Sequence, residues 1–298
     1  MTNTFMGFPD EMLHISLMGG EARALLCRTT TLCQTMANIH APSPTACAAM
    51  SRLLSGTAML GVMMKGKGES VTVNVVGNGT IGTMTCVAHG GNVKVTAHYP
   101  QNDVPPRADG HLDVGGLVGK EGRLTVIKDL AMDRPYVGQV NLVSGEIAMD
   151  FAQYFTVSEQ TPSLVALGTR VHEGMPLSSG GILIQAMPGC SEETLSQLEI
   201  RSMLFIDISV ELAHDSLETL VDFWFKGLEP EIIGRTPLAW QCDCSREKMA
   251  KALITVGKKD LEEMIEEDGE ATLTCHFCKS SHHFDKPTLQ EMLEKAQA

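Results

Sequence analysis

Four cysteines near the C-terminus constrain the fold of this chain more than any other feature. They form two close pairs, Cys242-Asp243-Cys244 and Cys275-His276-Phe277-Cys278. Two thiol pairs separated by about thirty residues can converge on one tetrahedral zinc ion, with four thiolates as ligands. The same sulfurs can also form two short-loop disulfides. The sequence alone therefore predicts either a metal site or a pair of oxidised dithiols.

The segment that carries the cysteines, residues 240–298, has few large apolar side chains. A unit of about sixty residues with so little apolar area can hardly build its own core, so a bound metal would supply most of its folding free energy. A permanent structural zinc is the simplest interpretation of the spacing. His276, His282 and His283 lie close by, but four cysteines already complete a structural zinc site. We therefore expect these imidazoles to lie outside the ligand set.

Composition limits the partners and the compartment that we expect. The 298 residues exceed one typical domain. A formal net charge of −13 argues against nucleic acid or an anionic membrane as a partner, because clustered Lys and Arg bind both. The N-terminal segment is neither basic nor apolar, and no stretch approaches the roughly 18 apolar residues that span a bilayer. We therefore expect a cytoplasmic protein.

Five further cysteines are scattered among apolar residues, without the spacing of metal ligands. The cytosol keeps thiols reduced, so a structural disulfide framework is not expected. Free cysteine behaves as a small hydrophobic side chain, and we expect these five to be buried. They are Cys27, Cys33, Cys47, Cys86 and Cys190.

Apolar periodicity predicts the fold class of residues 1–189. Apolar residues at helical spacing cover 21–36 and 45–64, and a further helix is predicted at 146–155. From Ser70 the period changes to two, which is typical of strands joined by hairpins rather than of repeated βαβ units. The fold class is therefore α+β, with an N-terminal domain of antiparallel or mixed β-sheets and helices. The strands are expected at 71–75, 81–88, 92–98, 123–128, 137–142, 164–171 and 181–187.

Residues 190–239 differ in character, and we expect them to form a helical linker. The apolar run 203–212 is rich in β-branched residues, so its intrinsic helix preference is weak. Trp224 and Phe225 add large apolar area. Because the order of this linker would depend on packing against another element, we expect it to be metastable. The remaining residues, 240–298, would form the small C-terminal zinc-binding domain.

Other motifs give no comparable indication of function. Residues 61–67 match most of a phosphate-binding loop, but Gly68 replaces the Ser or Thr that would hold magnesium, and a helical pattern precedes the match. We regard it as coincidental, so nucleotide binding is not predicted. The zinc-deaminase pattern and the Gly-x-Ser-x-Gly elbow of hydrolases are absent from the sequence. No enzymatic activity is predicted.

The cysteine segment and several others resemble the 33 kDa chaperonin family, also called heat shock protein 33. The resemblance runs over most of the chain, and the ordered combination of motifs is highly specific. One difference is His282, where the family usually has Tyr; it can alter packing around the site, while all four ligand positions are retained. The matching segments are 242–247, 267–270, 275–278 with Phe284, 142–155, 158–163 and 180–189.

The resemblance implies a redox-regulated, ATP-independent holding chaperone. Reduced members carry one zinc ion on four thiolates, here those of Cys242, Cys244, Cys275 and Cys278, and are largely inactive. Oxidants convert the thiolates to disulfides, which the resemblance implies here as Cys242–Cys244 and Cys275–Cys278. Zinc is then released, the C-terminal unit unfolds, and the oxidised form tends to dimerise.

Unfolding client proteins are the partners that the resemblance implies. Once the C-terminal unit unfolds, the apolar linker would lose its cover and contact apolar client segments. We expect the Cys275–Cys278 pair to close first, because the shorter Cys242–Cys244 ring is more strained. The candidate client-binding residues are Met203, Leu204, Phe205, Ile206, Trp224 and Phe225.

Two other functions stay open from the residues alone. A zinc-ribbon adaptor would hold a constitutive metal and have no switch. A thiol–disulfide oxidoreductase would use Cys275 and Cys278. Against that function, a thioredoxin-like Cys-x-x-Cys follows a strand at the start of a βαβ helix, and this one does not.

Overall fold

The computed structural model describes residues 7–64, 66 and 68–295. The chain divides into two compact units, which we name the core unit (Met1–Gln241) and the cysteine unit (Cys242–Ala298). Several sheets and helices make up the core unit, and the predicted α+β class is confirmed.

A five-stranded sheet, sheet A, forms the middle of the core unit. Its strands are β1 (Glu11–Leu17), β2 (Ala22–Arg28), β8 (Ser163–His172), β9 (Met175–Ala186) and β10 (Glu231–Pro237). They lie in the order β10-β1-β2-β9-β8, and every neighbouring pair is antiparallel. Apolar side chains stand on both faces, as expected for a sheet that is covered on both sides.

A second sheet, sheet B, has six strands and one inward face. Its strands are β3 (Ser70–Gly77), β4 (Met84–His89), β5 (Asn92–Ala97), β6 (Gly122–Asp129), β7 (Tyr136–Asn141) and β11 (Ala239–Trp240). The order is β11-β5-β4-β3-β6-β7, antiparallel except for the parallel β11–β5 pair. Val71, Val73 and Val75 point into the core while Thr72 and Asn74 are half-buried, which confirms the predicted period of two.

Seven α-helices and two 3₁₀ turns complete the described part of the core unit. The helices are α1 (Thr30–His40), α2 (Pro44–Met63), α3 (Val114–Val118), α4 (Ala148–Val157), α5 (Glu192–Arg201), α6 (Ile208–His214) and α7 (Leu217–Trp224). The 3₁₀ turns are Met18–Gly20 and Ser202–Phe205. We refer to α5, the turn Ser202–Phe205, α6 and α7 together as the linker helices.

The central helix α2 is buried along most of its length. It begins at a favourable cap, where the Ser43 hydroxyl accepts the Ala46 N–H at 3.2 Å and Pro44 occupies the first turn. By length and composition α2 could cross a membrane, but 83% of its apolar window is buried within the protein, as in a core helix. Lys65 and Lys67 of the phosphate-loop-like stretch lie outside the described residues.

Two local predictions are wrong. Residues 22–28, predicted helical, form β2, which is paired on both sides by β1 and β9. Both of its faces are buried, so consecutive apolar residues imitate helical spacing, and strand pairing decides the structure. Residues 231–237, placed in a helical linker, form β10 at the edge of sheet A. Pro237 is tolerated there because one edge of the strand has no ladder partner among the described residues.

Sheet A separates two apolar clusters. One face, with Met12, Leu25 and Cys27, packs against α1, α2 and sheet B. The opposite face packs against the linker helices, and its side chains include Leu13 and Leu26. The alternation along β1 and β2 therefore sends successive side chains into different cores.

The cysteine unit folds around a hairpin. Its elements are α8 (Arg246–Ile254), α9 (Lys258–Glu267), β12 (Glu270–Thr274), β13 (Ser281–Asp285) and α10 (Lys286–Lys295). The Asp285 carboxylate accepts the Thr288 N–H at 3.2 Å, so Asp285 caps α10. Its buried core is small: Leu253, Leu261, Ile265, Phe284, Leu289 and Met292.

Candidate metal centre

The first cysteine pair lies immediately before α8. Ser245 begins this helix, and its hydroxyl accepts the Lys248 N–H at 3.3 Å. Cys242 and Cys244 are both partly buried. The capped helix start fixes the chain direction just after the pair, which limits the positions that the two sulfurs can take.

The second pair lies in the turn that joins β12 to β13. The Cys275 N–H donates to the Ser280 carbonyl at 2.9 Å, and the Lys279 N–H donates to the Cys275 carbonyl at 2.9 Å. Lys279 has a left-handed φ of 60°, which reverses the chain directly after Cys278. This tight turn holds Cys275 and Cys278 next to each other.

The two pairs meet as one group of four sulfurs. All four Sγ atoms lie within 4.8 Å of one another, with Cys242 and Cys275 at 3.7 Å and Cys244 and Cys278 at 3.3 Å. A tetrahedral ion with metal–sulfur bonds of about 2.3 Å needs sulfurs about 3.8 Å apart. A disulfide needs about 2.05 Å. The four cysteines are free thiols, and their spacing fits a tetrahedral metal ion.

The thiols of this group differ in acidity. Burial is the main reason that the pKa values of Cys242 and Cys244 are raised. Burial also opposes ionisation of Cys278, but hydrogen bonds with the hydroxyl and backbone of Ser280 and contacts with neighbouring thiols lower its pKa to about 6. Near neutral pH, Cys278 therefore offers a thiolate, while a metal must displace protons from Cys242 and Cys244.

The nearby histidines do not join the sulfur group in the part of the chain that the structure describes. The His283 ring contacts the Thr272 hydroxyl at 3.3 Å and the Glu270 carboxylate at 3.6 Å, along the exposed side of the hairpin. His282 lies opposite Leu273 in the ladder, and its buried Nε2 has no hydrogen-bond partner among the residues that the structure describes. His282 therefore places an unsatisfied ring nitrogen inside the hairpin, next to the second cysteine pair.

The six candidate client-binding residues fall into two sets. Phe205, Trp224 and Phe225 are buried, with 3%, 1% and 0% of their surface exposed, and the rings of Phe205 and Trp224 meet edge to face at 5.2 Å. They belong to the cluster on sheet A. The other set is exposed: Met203 by 69%, Leu204 by 40% and Ile206 by 68%.

Arg28 is a residue that the sequence analysis missed. Its buried guanidinium, at the end of β2, donates to the Leu212 carbonyl at 3.2 and 3.0 Å and also to the Asp215 carbonyl. It therefore attaches the C-terminal end of α6 to sheet A. A cation at the end of the apolar run Leu25-Leu26-Cys27 was the available signal, since a buried charge needs partners.

The remaining cysteines are separate from this centre. Burial raises the thiol pKa of the four that lie in the apolar core, so they are poor nucleophiles. These are Cys27, Cys33, Cys47 and Cys86, as predicted, whereas Cys190 is half-buried.

Comparison with known proteins gives one family over nearly the whole chain. The family model described as Hsp33 protein matches residues 10–285. The 33 kDa chaperonin of Alkaliphilus metalliredigens is 40% identical over 289 residues, which cover 96% of this chain and 99% of that protein. The 33 kDa chaperonin of Clostridioides difficile is 38% identical over 288 residues, covering 96% and 99%.

A solved structure agrees with the sequence relatives. The crystal structure of the 33 kDa chaperonin, a heat shock protein 33 homolog, from Thermotoga maritima is 28% identical. It matches with a TM-score of 0.88 over 98% of this chain and 100% of that chain. Family model, relatives and structure all extend through the four-cysteine segment. The chain therefore belongs to the heat shock protein 33 family of chaperones.

Proposed function

We propose that this protein is a redox-regulated, ATP-independent holding chaperone of the cytoplasm. In the reduced state the four cysteines hold one zinc ion per chain and the protein is inactive. Oxidation to two disulfides releases the metal, unfolds the cysteine unit and makes the linker helices available to unfolding client proteins. The oxidised chain forms a homodimer, and no nucleotide is needed.

The four-sulfur group is the observation that carries this proposal. Four thiolates in a tetrahedral arrangement favour zinc among the common divalent ions. Zinc itself does not change its oxidation state. In the described part of the cysteine unit, the buried hydrophobic cluster has six side chains. Metal binding would therefore supply a large part of the folding free energy of this unit, and its loss would unfold it.

The redox step uses two electrons per disulfide. One thiolate of a pair attacks a peroxide oxygen, which forms a sulfenic acid and releases hydroxide. The second thiol of the pair then attacks that sulfur, forming the disulfide and releasing water. We propose that Cys275 and Cys278 react first, since the shorter Cys242–Cys244 ring would be more strained. Cys242–Cys244 would follow.

The linker helices supply the client surface in this proposal. Phe205, Trp224 and Phe225 are buried on sheet A, and release of the helices would expose them together with the sheet face beneath. The helices precede the cysteine unit along the chain, separated from it by β10 and β11. Unfolding clients present apolar segments, which such a surface would bind without sequence preference.

Two other functions predict different behaviour. A zinc-ribbon adaptor would keep its metal and act equally in both redox states. A thiol–disulfide oxidoreductase would exchange disulfides with model substrates through Cys275 and Cys278. That pair lies in a hairpin turn and not at a helix start, which disfavours the second alternative.

The test compares reduced, zinc-loaded protein with peroxide-treated protein, without ATP. Light scattering of a heat-denatured client reports aggregation, while zinc content and free thiols are counted in parallel. Suppression of scattering only after oxidation, with one zinc lost and four thiols consumed, is expected. Equal suppression in both states would refute the switch. Peptide mapping that finds Cys242–Cys275 or Cys244–Cys278 bridges would refute the proposed pairing.

A further inference from the structure

Arg246 connects the first cysteine pair to the hairpin that carries the second. It is the first residue of α8, two positions after Cys244. Its guanidinium carbon lies 4.6 Å above the centre of the Phe284 ring, and its Nη1 donates to the backbone carbonyl of His283. Both partners belong to β13.

The chemistry of Arg suits this bridge. A planar guanidinium can stack on an aromatic face and donate a hydrogen bond in its plane at the same time, whereas a lysine ammonium is a point charge on a flexible stem. Phe284 is fully buried in the small core of the cysteine unit, so it is a fixed platform. The contact therefore fixes the first pair against a rigid part of the hairpin.

We infer that Arg246 is a positioning residue for the metal centre. It holds Cys242 and Cys244 where their sulfurs reach those of Cys275 and Cys278. Thereby it sets how tightly zinc is bound and how readily peroxide releases it. This inference rests on the proposed zinc site.

Lys248 provides a matched comparison on the same helix turn. Like Arg246 it is an exposed cation close to the first pair, but its ammonium pairs with Asp243, inside the first cysteine pair itself. Removing Lys248 deletes one positive charge near the thiolates without cutting the contact to the hairpin. If only positive charge near the thiolates matters, removing either Lys248 or Arg246 should weaken zinc binding. If the contact with the hairpin matters, only the removal of Arg246 should do so.

The experiment measures zinc affinity of the reduced full-length chain by competition with a chromophoric chelator. Arg246→Ala is expected to bind zinc about 10- to 100-fold more weakly, the usual effect of removing a group that orients metal ligands. Arg246→Lys should recover only part of this loss. Lys248→Ala should stay within about threefold of the unmodified chain, as for an exposed ion pair. Equal losses for Arg246→Ala and Lys248→Ala would overturn the inference.

Cobalt substitution separates positioning from mere stabilisation of the unit. The ligand-field bands of bound Co²⁺ report the arrangement of the four sulfurs, and Arg246→Ala is expected to shift them while Lys248→Ala leaves them unchanged. Unchanged bands in Arg246→Ala would contradict a positioning role. If the unmodified chain binds neither ion, the proposed metal site itself fails, and that outcome is distinct from failure of the Arg246 inference.

Discussion

The two covers of sheet A differ in construction. One face is covered by α1, α2 and sheet B, and α2 is a helix of 20 residues that is buried along most of its length. The other is covered by the linker helices, of which α5 has 10 residues, α6 has 7 and α7 has 8. Isolated helices shorter than about 12–15 residues are marginal in water. The second cover therefore depends on the sheet for its order.

The surfaces of the two covers differ as well. Most apolar side chains of α2 are buried within the core unit. By contrast, Ile200, Met203 and Ile206, in and next to the linker helices, are largely exposed. A cover built from short pieces that already carry exposed apolar side chains can be released at lower free-energy cost than one long buried helix. We therefore propose that one cover of sheet A is permanent and that the other, formed by the linker helices, is removable.

The largest expected effect is on the metal that is proposed to keep the removable cover in place. Cys275→Ser removes one of the four ligands. Loss of a group that only orients a ligand weakens metal binding by up to about 100-fold, and loss of the ligand itself should weaken zinc binding by more than that. Zinc content by atomic absorption checks this. Cys190→Ser, which changes a half-buried cysteine outside the centre, should keep its zinc. Full zinc occupancy in Cys275→Ser would contradict the four-sulfur site.

Trp224→Ala should loosen the removable cover directly. Truncating this fully buried ring should cost about 3–5 kcal/mol in the free energy of unfolding of the linker helices. Client binding by the reduced protein, measured by light scattering, should then appear without oxidant.

Trp224→Phe is the control for that substitution. The indole Nε1 is buried and has no hydrogen-bond partner within the described part of the chain, so its removal offsets part of the lost apolar contact. A change within about 1 kcal/mol is expected. Constitutive client binding by Trp224→Phe would show that the ring's size is not what retains the cover.

Two glycines allow each cover to be disturbed separately. A Cβ at Gly168 in β8 would lie 2.6 Å from Ile208 Cγ2 and 2.9 Å from the Ser209 nitrogen, both in α6. A Cβ at Gly56 in α2 would lie 2.3 Å from the Phe151 ring. Each alanine substitution should destabilise its contact by about 1–3 kcal/mol.

The two substitutions should give different results. Gly168→Ala is expected to raise client binding in the reduced state, with little change in the urea midpoint of the core unit. Gly56→Ala is expected to lower that midpoint without constitutive client binding. Identical behaviour of the two variants would mean that the covers are not independent.

The smallest effect is a pH dependence at the start of α1, on the permanent side. The Asp10 carboxylate accepts the N–H groups of Thr31 at 3.2 Å and Leu32 at 2.7 Å, and burial raises its pKa to about 6. The folded state thus binds the proton more tightly than the unfolded state, whose pKa is about 3.9. Protonation of Asp10 therefore increases the free energy of unfolding as pH falls from about 6 toward about 4. This contribution is lost as pH rises through about 6.

Asp10→Asn should abolish that contribution. Urea midpoints at pH 5 and pH 7.5 are compared for both proteins, so that other titrating groups cancel. The unmodified chain should gain more stability at pH 5 than Asp10→Asn does. An equal pH difference in the two proteins would contradict a raised pKa for Asp10.

Sequence reasoning succeeded where a local pattern determines the structure. The helix predicted at 45–64 is α2 (Pro44–Met63), because its apolar residues and the Ser43-Pro44 start both favour a helix. The spacing of the four cysteines was sufficient to expect them in one group, and the structure brings their sulfurs together.

It failed where distant partners determine the structure. Strand β2 is a strand because β1 and β9 pair with it, and β10 joins sheet A from more than two hundred residues away in the chain. The contacts of Arg246 with Phe284 and of Arg28 with Leu212 depend on how separate elements pack. Neither the spacing of residues along the chain nor the composition of the sequence predicts these strand pairings and contacts.

Hydrogen exchange followed by mass spectrometry tests the difference between the two covers most directly. Reduced, zinc-loaded protein is compared with peroxide-oxidised protein, and protection is read for peptides from α2 and from α5 to α7. Oxidation is expected to remove protection from the linker helices and the cysteine unit while α2 keeps its protection. Linker helices that stay as protected as α2 after zinc release, or α2 losing protection together with them, would contradict a removable cover on sheet A.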